Sequence, residues 1–286
     1  MMYAIMNHNR KQAMESETQK KRHVKSIWIS DIHLGTSFSK ANELLGFLDK
    51  YHSKEIILVG DIIDIWGMKS SWNWTTTHSR IIQKLIKLSR KGVRIIYIPG
   101  NHDEFFRDYL DLKFGDIEIK DRIDYLTMTG KRLLVVHGDA YDIFMQDSYR
   151  RLAHIGDRAF HLIQSISRLT QRMRHWLGKD YWSLAGYVKQ RTKSIGRIIQ
   201  RFELALIGAA RSEGYDGVIC GHIHKAEIKT IDDMIYMNCG DWVDSCTALV
   251  EDLAGNFKTV HWLEENTSSV TKQKKVKKKQ LKESHV

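Results

Sequence analysis

Five short stretches of this chain end in side chains that bind metals. They are Asp31-Ile32-His33, Gly60-Asp61 with Asp64 close behind, Gly100-Asn101-His102-Asp103, His137-Gly138-Asp139 and Gly221-His222-Ile223-His224. Each follows an apolar run short enough to be one buried strand, at residues 26–29, 55–59, 94–98, 132–136 and 217–220. In an open α/β sheet the carboxyl ends of the strands face the ligand crevice. A lone Gly-Asp is more often a turn, and a lone histidine more often a packed or surface residue. Repetition over five strand ends reverses that reading and predicts one shared centre. Carboxylate, amide and imidazole donors suit Mn²⁺, Fe or Zn²⁺, whereas a structural zinc calls for thiolates. The i, i+2 spacing of Asp31 with His33, and of His222 with His224, predicts that each pair leaves an extended backbone on one side.

Such ligands need a frame. Leu44, Leu45, Phe47 and Leu48 predict a helix over residues 41–50, and Ile81, Ile82, Leu85, Ile86 and Leu88 one over 78–91, ended by Gly92. Between 66 and 77 the spacing predicts a loop that contains Trp72-Asn73-Trp74, two rings suited either to stacking on a ligand or to anchoring the loop. The β-α-β-α-β alternation predicts a parallel sheet under helices. Strands separated by turns follow at 117–119, 125–129 and 131–136. A long helical stretch then interrupts them at 142–212, with apolar positions from Phe160 to Leu169 and from Ile195 to Leu206, and a turn at Leu177-Gly178-Lys179. The strands resume at 228–231, 235–237, 248–251 and 259–263.

At 286 residues and 33.4 kDa the chain can bury one large core with an inserted subdomain. No apolar run is long enough for a transmembrane helix. No apolar leader precedes a small-residue cleavage site, so secretion is not expected. Cys220, Cys239 and Cys246 are odd in number and lack metal-type spacing, as in a cytosolic protein with reduced thiols. The net charge of +11 sits mainly at the ends. Residues 1–23 read as a disordered lead-in and 266–286 as a disordered lysine-rich tail. Such a tail is either simply solvated or drawn to an anionic membrane surface or to RNA. Residues 145–200 add eleven Arg or Lys against three Asp, so the rest of the body is acidic.

The ordered blocks Asp-x-His, Gly-Asp-x-x-Asp, Gly-Asn-His-Asp, His-Gly-Asp and Gly-His-x-His resemble the calcineurin-like binuclear metallophosphoesterase family over about residues 25–263. The resemblance implies a four-layer αββα sandwich of the α/β (α+β) class, within residues 24–265, that carries a helical cap at about 142–212. It implies two divalent metal ions, Mn²⁺ or else Fe or Zn²⁺. Asp31, His33, Asp61 and His224 would hold one, and Asp61, Asn101, His137 and His222 the other, with Asp61 shared. It implies hydrolysis of a phosphoester or diphosphate by a hydroxide activated between the ions. His102 would donate a proton to the leaving oxygen, oriented by Asp103, while Asp64 and Asp139 would lie outside the ligand set. Within the family, residues 60–66, Gly138-Asp139, the helical insertion and Gly240-Asp241-Trp242 are similar to the UDP-2,3-diacylglucosamine pyrophosphatases of bacterial lipid A biosynthesis. That likeness implies a nucleotide-diphosphate lipid substrate, with the cap over its acyl chains beside Arg150, Arg151, Arg168 and Arg172. The basic cap and tail would suit a cytoplasmic protein in peripheral contact with the inner membrane face. A phosphodiesterase of nucleic acid or cyclic nucleotides would suit the basic cap and tail as well. A catalytically silent binding protein would lack a ligand, and none is missing.

Overall fold

The computed structural model describes residues 21–142 and 193–267. Most of the expected lead-in, the cap from residue 143 to 192 with its arginines and its turn, and the tail from 268 onward lie outside the described residues. The expected lead-in runs to residue 23, but Arg22–His23 forms a short strand, β1, that pairs with β3 (Tyr51–His52). The Arg22 guanidinium also meets Glu265 and the Tyr51 hydroxyl, so the ordered domain begins earlier than composition suggests.

The first three ligand-bearing strands are β2 (Ser26–Ile29), β4 (Glu55–Val59) and β5 (Arg94–Ile98), and they run parallel as neighbours. They are apolar at almost every position because both their faces are buried. Ile27, Ile29, Ile56, Leu58, Ile95 and Tyr97 pack with Phe47 and Leu48 of helix α1 (Ala41–Lys50) and Ile81 and Leu85 of α3 (Thr76–Ser89). The alternate residues Trp28, Ile57, Val59, Ile96 and Ile98 pack against Tyr125, Leu133, Val135, Ile219 and Met237 of a second sheet. That sheet holds β8 (Ile123–Leu126), β9 (Arg132–Val135), β10 (Gly217–Cys220), β11 (Glu227–Ile231) and β12 (Met234–Asn238), with β10 parallel to both β9 and β12. Its outer residues Leu134, Val136, Val218 and Tyr236 meet Phe202, Leu206, Ile207 and Ala210 of α4 (Lys193–Ser212). The expected four layers are present. The first sheet is completed by β6 (Lys113–Phe114) and β7 (Ile117–Ile119) on one side, and by β13 (Thr247–Glu251) and β14 (Phe257–His261) on the other.

Local details depart from the sequence expectations for definable reasons. The stretch expected to be a loop from 66 to 77 opens with helix α2 (Ile65–Ser70), capped by the Asp64 carboxylate, which accepts from Gly67 N. Helix α3 starts ahead of His78 because Thr75 caps it and His78 Nδ1 accepts the Thr75 N–H in return. The strand expected at 125–129 is β8, which starts at Ile123. The chain expected to stay extended to 263 turns helical at 262–267. All three cysteines are free and buried.

Candidate metal centre

Strands β2, β4 and β5 from one sheet, and β9 and β10 from the other, deliver their carboxyl ends to one edge of the sandwich. The backbone does not continue extended there. Asp31, His33, Asp61, His222 and His224 all have positive φ, between 51° and 71°. Convergence of the Asp-x-His and His-x-His pairs therefore comes from left-handed turns and not from the strand alternation that the i, i+2 spacing suggests. That backbone is costly, at about 1–3 kcal/mol for each such residue, so neighbouring groups must hold it. The Asp31 and His33 amides donate to Gly60 O and Asp61 O at 3.0 and 2.9 Å, and Trp242 N donates to Asp31 O at 3.0 Å. The Gly240-Asp241-Trp242 turn thus buttresses Asp31 from a buried position, with Asp241 accepting from Val243 N and from the Ser245 hydroxyl. At Gly60 (φ +77°) a Cβ would stand 2.1 Å from His137 Nδ1, and at Gly100 one would stand 2.3 Å from an Asp61 oxygen. Only glycine permits the two sheets to approach so closely there.

The side chains gather in overlapping groups. Asp31, His33 and His224 place ligand atoms within 4.8 Å of one another, as do Asp61, His137 and His222, and also His33, Asp61 and His102. Asp61 Oδ2 lies 3.4 Å from His137 Nε2 and 3.9 Å from His33 Nε2, and Asp31 Oδ1 lies 3.1 Å from His224 Nε2. His33 Nε2, His137 Nε2 and Asn101 Oδ1 are buried without a hydrogen-bond partner. Such orphans are rare in a folded protein unless something else satisfies them. The donor set and its unpaired atoms fit divalent cations of the borderline kind. The electrostatics agree. Burial opposes charge on Asp31, Asp61, His33 and His137, yet His224 holds Asp31 down to about 2, and His137 with His33 holds Asp61 well below the carboxylate range. Against the same burial, Asp64, Asp61 and Asp31 push His33 up to about 9, and Asp61 pushes His137 up to about 10. This pocket gathers positive charge around its carboxylates.

A further layer fixes the rings. His137 Nδ1 donates to Val59 O at 2.9 Å. Asp64 accepts from two histidines at once, His33 Nδ1 on Oδ2 and His102 Nδ1 on Oδ1, each at 3.0 Å. The expectation that Asp103 orients His102 is therefore corrected. Asp103 points the other way, fully buried, and takes Gly100 N at 2.6 Å, Ile62 N at 2.8 Å, Asp61 N at 3.2 Å and the Tyr97 hydroxyl. Its carboxylate shapes the turn that presents Asp61 and has no oxygen left for His102. Asp139 stays outside the cluster, in a two-oxygen pair with Arg107. Spacing alone could not distinguish Asp64 from Asp103, since both belong to the same run of motifs. Asp142, 2.9 Å from His222 Nε2, carried no sequence signal as a site residue. Trp74 donates to Ser79 and anchors its loop to α3, while Trp66 lies against His102 with ring centroids 5.0 Å apart.

Residues 24–226 match the calcineurin-like phosphoesterase family. A UDP-2,3-diacylglucosamine hydrolase of Porphyromonas gingivalis is 25% identical over 246 residues, covering 77% of this chain and 90% of that protein. A protein of the same name from Neisseria gonorrhoeae is 24% identical, covering 76% and 89%. Among solved structures, a phosphoesterase from E. coli aligns over 82% of this chain and 98% of its own, with a TM-score of 0.42 and 12% identity. The match spans most of the chain and contains every ligand-bearing strand end, and on that ground the chain belongs to the calcineurin-like phosphoesterase family of metal-dependent phosphoester hydrolases.

Proposed function

We propose that the protein cleaves the diphosphate of a nucleotide-linked acylated sugar of the UDP-2,3-diacylglucosamine kind, releasing a nucleoside monophosphate and a lipid phosphate. The observation that carries the chemistry is the pair of ligand groups joined through His33 and Asp61, with Asp31 Oδ1, His33 Nε2, Asn101 Oδ1 and His137 Nε2 buried without a hydrogen bond. The substrate class is supported by the names of the two relatives, which align over three quarters of this chain. In this reading Asp31, His33, Asp61 and His224 hold one ion, and Asp61, Asn101, His137 and His222 hold the other. Two bound divalent ions supply Lewis-acid charge for a phosphoryl oxygen and an acidified water, and Mn²⁺ is the ion we propose.

The chain's own residues do the rest. Asp64 accepts from His102 Nδ1, so His102 Nε2 is the nitrogen free to carry a proton to the leaving oxygen. The His102 side chain is 31% exposed, against 9% for His33, so a substrate can reach it. Asp64 fixes the direction of the His102 ring. Asp103 keeps the Asp61 turn closed during turnover. We propose a peripheral, cytoplasmic location for the protein.

The test compares Mn²⁺-loaded protein on UDP-2,3-diacylglucosamine, UDP-N-acetylglucosamine and a cyclic dinucleotide. Preference for the acylated compound over its unacylated analogue is expected. Equal turnover of the two UDP sugars would refute the acyl-sugar assignment, and preference for the cyclic dinucleotide would replace it with a phosphodiesterase of nucleotides. His102→Ala should keep its metal yet lose rate by about 10²–10⁴-fold on substrates with poor leaving groups.

A further inference from the structure

We propose that Asp142 is a positioning residue for the second ligand group, and that its carboxylate selects which nitrogen of His222 faces Asp61 and His137. The proposal rests on the metal reading of that group. The turn after β9 carries two side chains that touch the His222 ring. His137 meets it edge-on, with centroids 5.1 Å apart and 76° between the planes. Asp142 follows the 3₁₀ turn Asp139–Tyr141 and places Oδ2 2.9 Å from His222 Nε2. An ionised carboxylate can only accept. The hydrogen therefore sits on Nε2, and the neutral ring keeps its lone pair on Nδ1.

The surroundings leave the ring little room to turn over. Phe202 of α4 lies across it, with centroids 5.8 Å apart and a tilt of 39°. Gly138 makes that approach possible, since a Cβ there would stand 2.8 Å from the Phe202 ring. The His222 backbone N–H is held in turn by Asp31 Oδ2 at 3.0 Å. Asp142 is itself buried, so little water competes for its oxygen. A buried carboxylate behind a ligating imidazole fixes its tautomer and raises its basicity, and losing one weakens metal binding by about 10–100-fold. In the first group Asp64 does the same for His33, but from the Nδ1 side. The two groups thus present opposite ring nitrogens, Nε2 from His33 and Nδ1 from His222.

Zinc-loaded, ¹⁵N-labelled protein gives the direct reading, because long-range ¹H–¹⁵N correlation spectra separate protonated from metal-bound ring nitrogens. His222 should show a protonated Nε2 and a metal-bound Nδ1. A metal-bound Nε2 would overturn the proposal, and this measurement needs no variant that folds. Calorimetric titration of Asp142→Ala with Zn²⁺ should then show the second ion weakened by about 10–100-fold while the first keeps its affinity. Asp142→Asn, whose amide oxygen can still accept, should lose less. Two ions bound to Asp142→Ala as tightly as to the wild type would refute the role of Asp142 alone. Wild-type protein that binds fewer than two ions would instead remove the metal reading, and this proposal with it.

Discussion

Replacing Asp64 with alanine should separate the two jobs that one carboxylate performs. The change removes three hydrogen bonds, from His33 Nδ1, His102 Nδ1 and the capping Gly67 N–H. Loss of the cap costs about 0.5–2 kcal/mol. His33 is buried, so its stranded N–H costs about 1–3 kcal/mol, whereas water can replace the bond to the more exposed His102. Stability should fall by roughly 1.5–5 kcal/mol in all. The functional losses differ in kind. Through His33, metal affinity should drop about 10–100-fold. Through His102, proton donation should lose up to about 10²–10⁴-fold in rate. Turnover of a nitrophenyl phosphodiester and of an alkyl phosphodiester, each measured against Mn²⁺ concentration, distinguishes them. Saturating metal should restore the nitrophenyl substrate, whose leaving group needs no proton, and leave the alkyl substrate slow. Full recovery of both would mean that Asp64 does not orient His102. An unshifted metal curve would mean that His33 does not depend on it.

Asp61→Ala removes the carboxylate that faces Nε2 of both His33 and His137, and elemental analysis should find metal content falling from about two ions per chain toward zero. Full occupancy in that variant would make Asp61 a turn residue only. Gly60→Ala drives a Cβ into the His137 ring from a left-handed backbone, so it should cost more than the 1–2 kcal/mol of left-handed strain alone, about 3 kcal/mol or more, and weaken metal binding; a melting point within a few degrees of wild type would refute this. The pH dependence follows from His33 and His137, raised to about 9 and about 10. Groups raised in the folded state stabilise the metal-free protein fully below about pH 6.5 and lose that contribution as pH climbs through 9 to 10. Ions need neutral imidazole, so Mn²⁺ binding at pH 7 should release protons and tighten toward pH 9. Calorimetry in buffers of different ionisation heat reads this directly, and binding without proton release would refute it.

Much of the site was legible because each ligand follows a run that is apolar on both faces. Residues such as Ile56 and Ile57, which bury against helices and against the other sheet respectively, leave no polar gap to blur the strand. The ligand types at the strand ends then stand out. The route by which they converge was not legible, because the positive φ at Asp31, His33 and Asp61 is held by contacts from the turn after β4, from Trp242 and from the Asp103 carboxylate, and that at His222 by Asp31, all distant in sequence from the residue they hold. The partner of His102 was misread for a similar reason. Asp103 is its chain neighbour, but a turn sends adjacent side chains apart, and the carboxylate that reaches His102 lies 38 residues earlier. Helix α2 escaped notice since its tryptophan, glycine and serine carry no periodic apolar face, and it is held by the cap at Asp64.

Strand β2 has one further consequence, for the order in which the chain can be made. It carries Asp31 at its end, and it pairs on one side with β4 and on the other with β13, where Trp28 lies opposite Leu249 and Ile27 opposite Val250. The first partner leaves the ribosome soon after β2, but the second is more than two hundred residues away. At about 5–20 residues per second, the nascent chain holds that edge unpaired for roughly ten to forty seconds. An open apolar edge is a template for pairing with other chains. Synthesis therefore passes through an interval in which the strand that carries Asp31 invites a chaperone or a misplaced strand. His222 and His224, the last ligands to emerge, arrive shortly before β13 closes it.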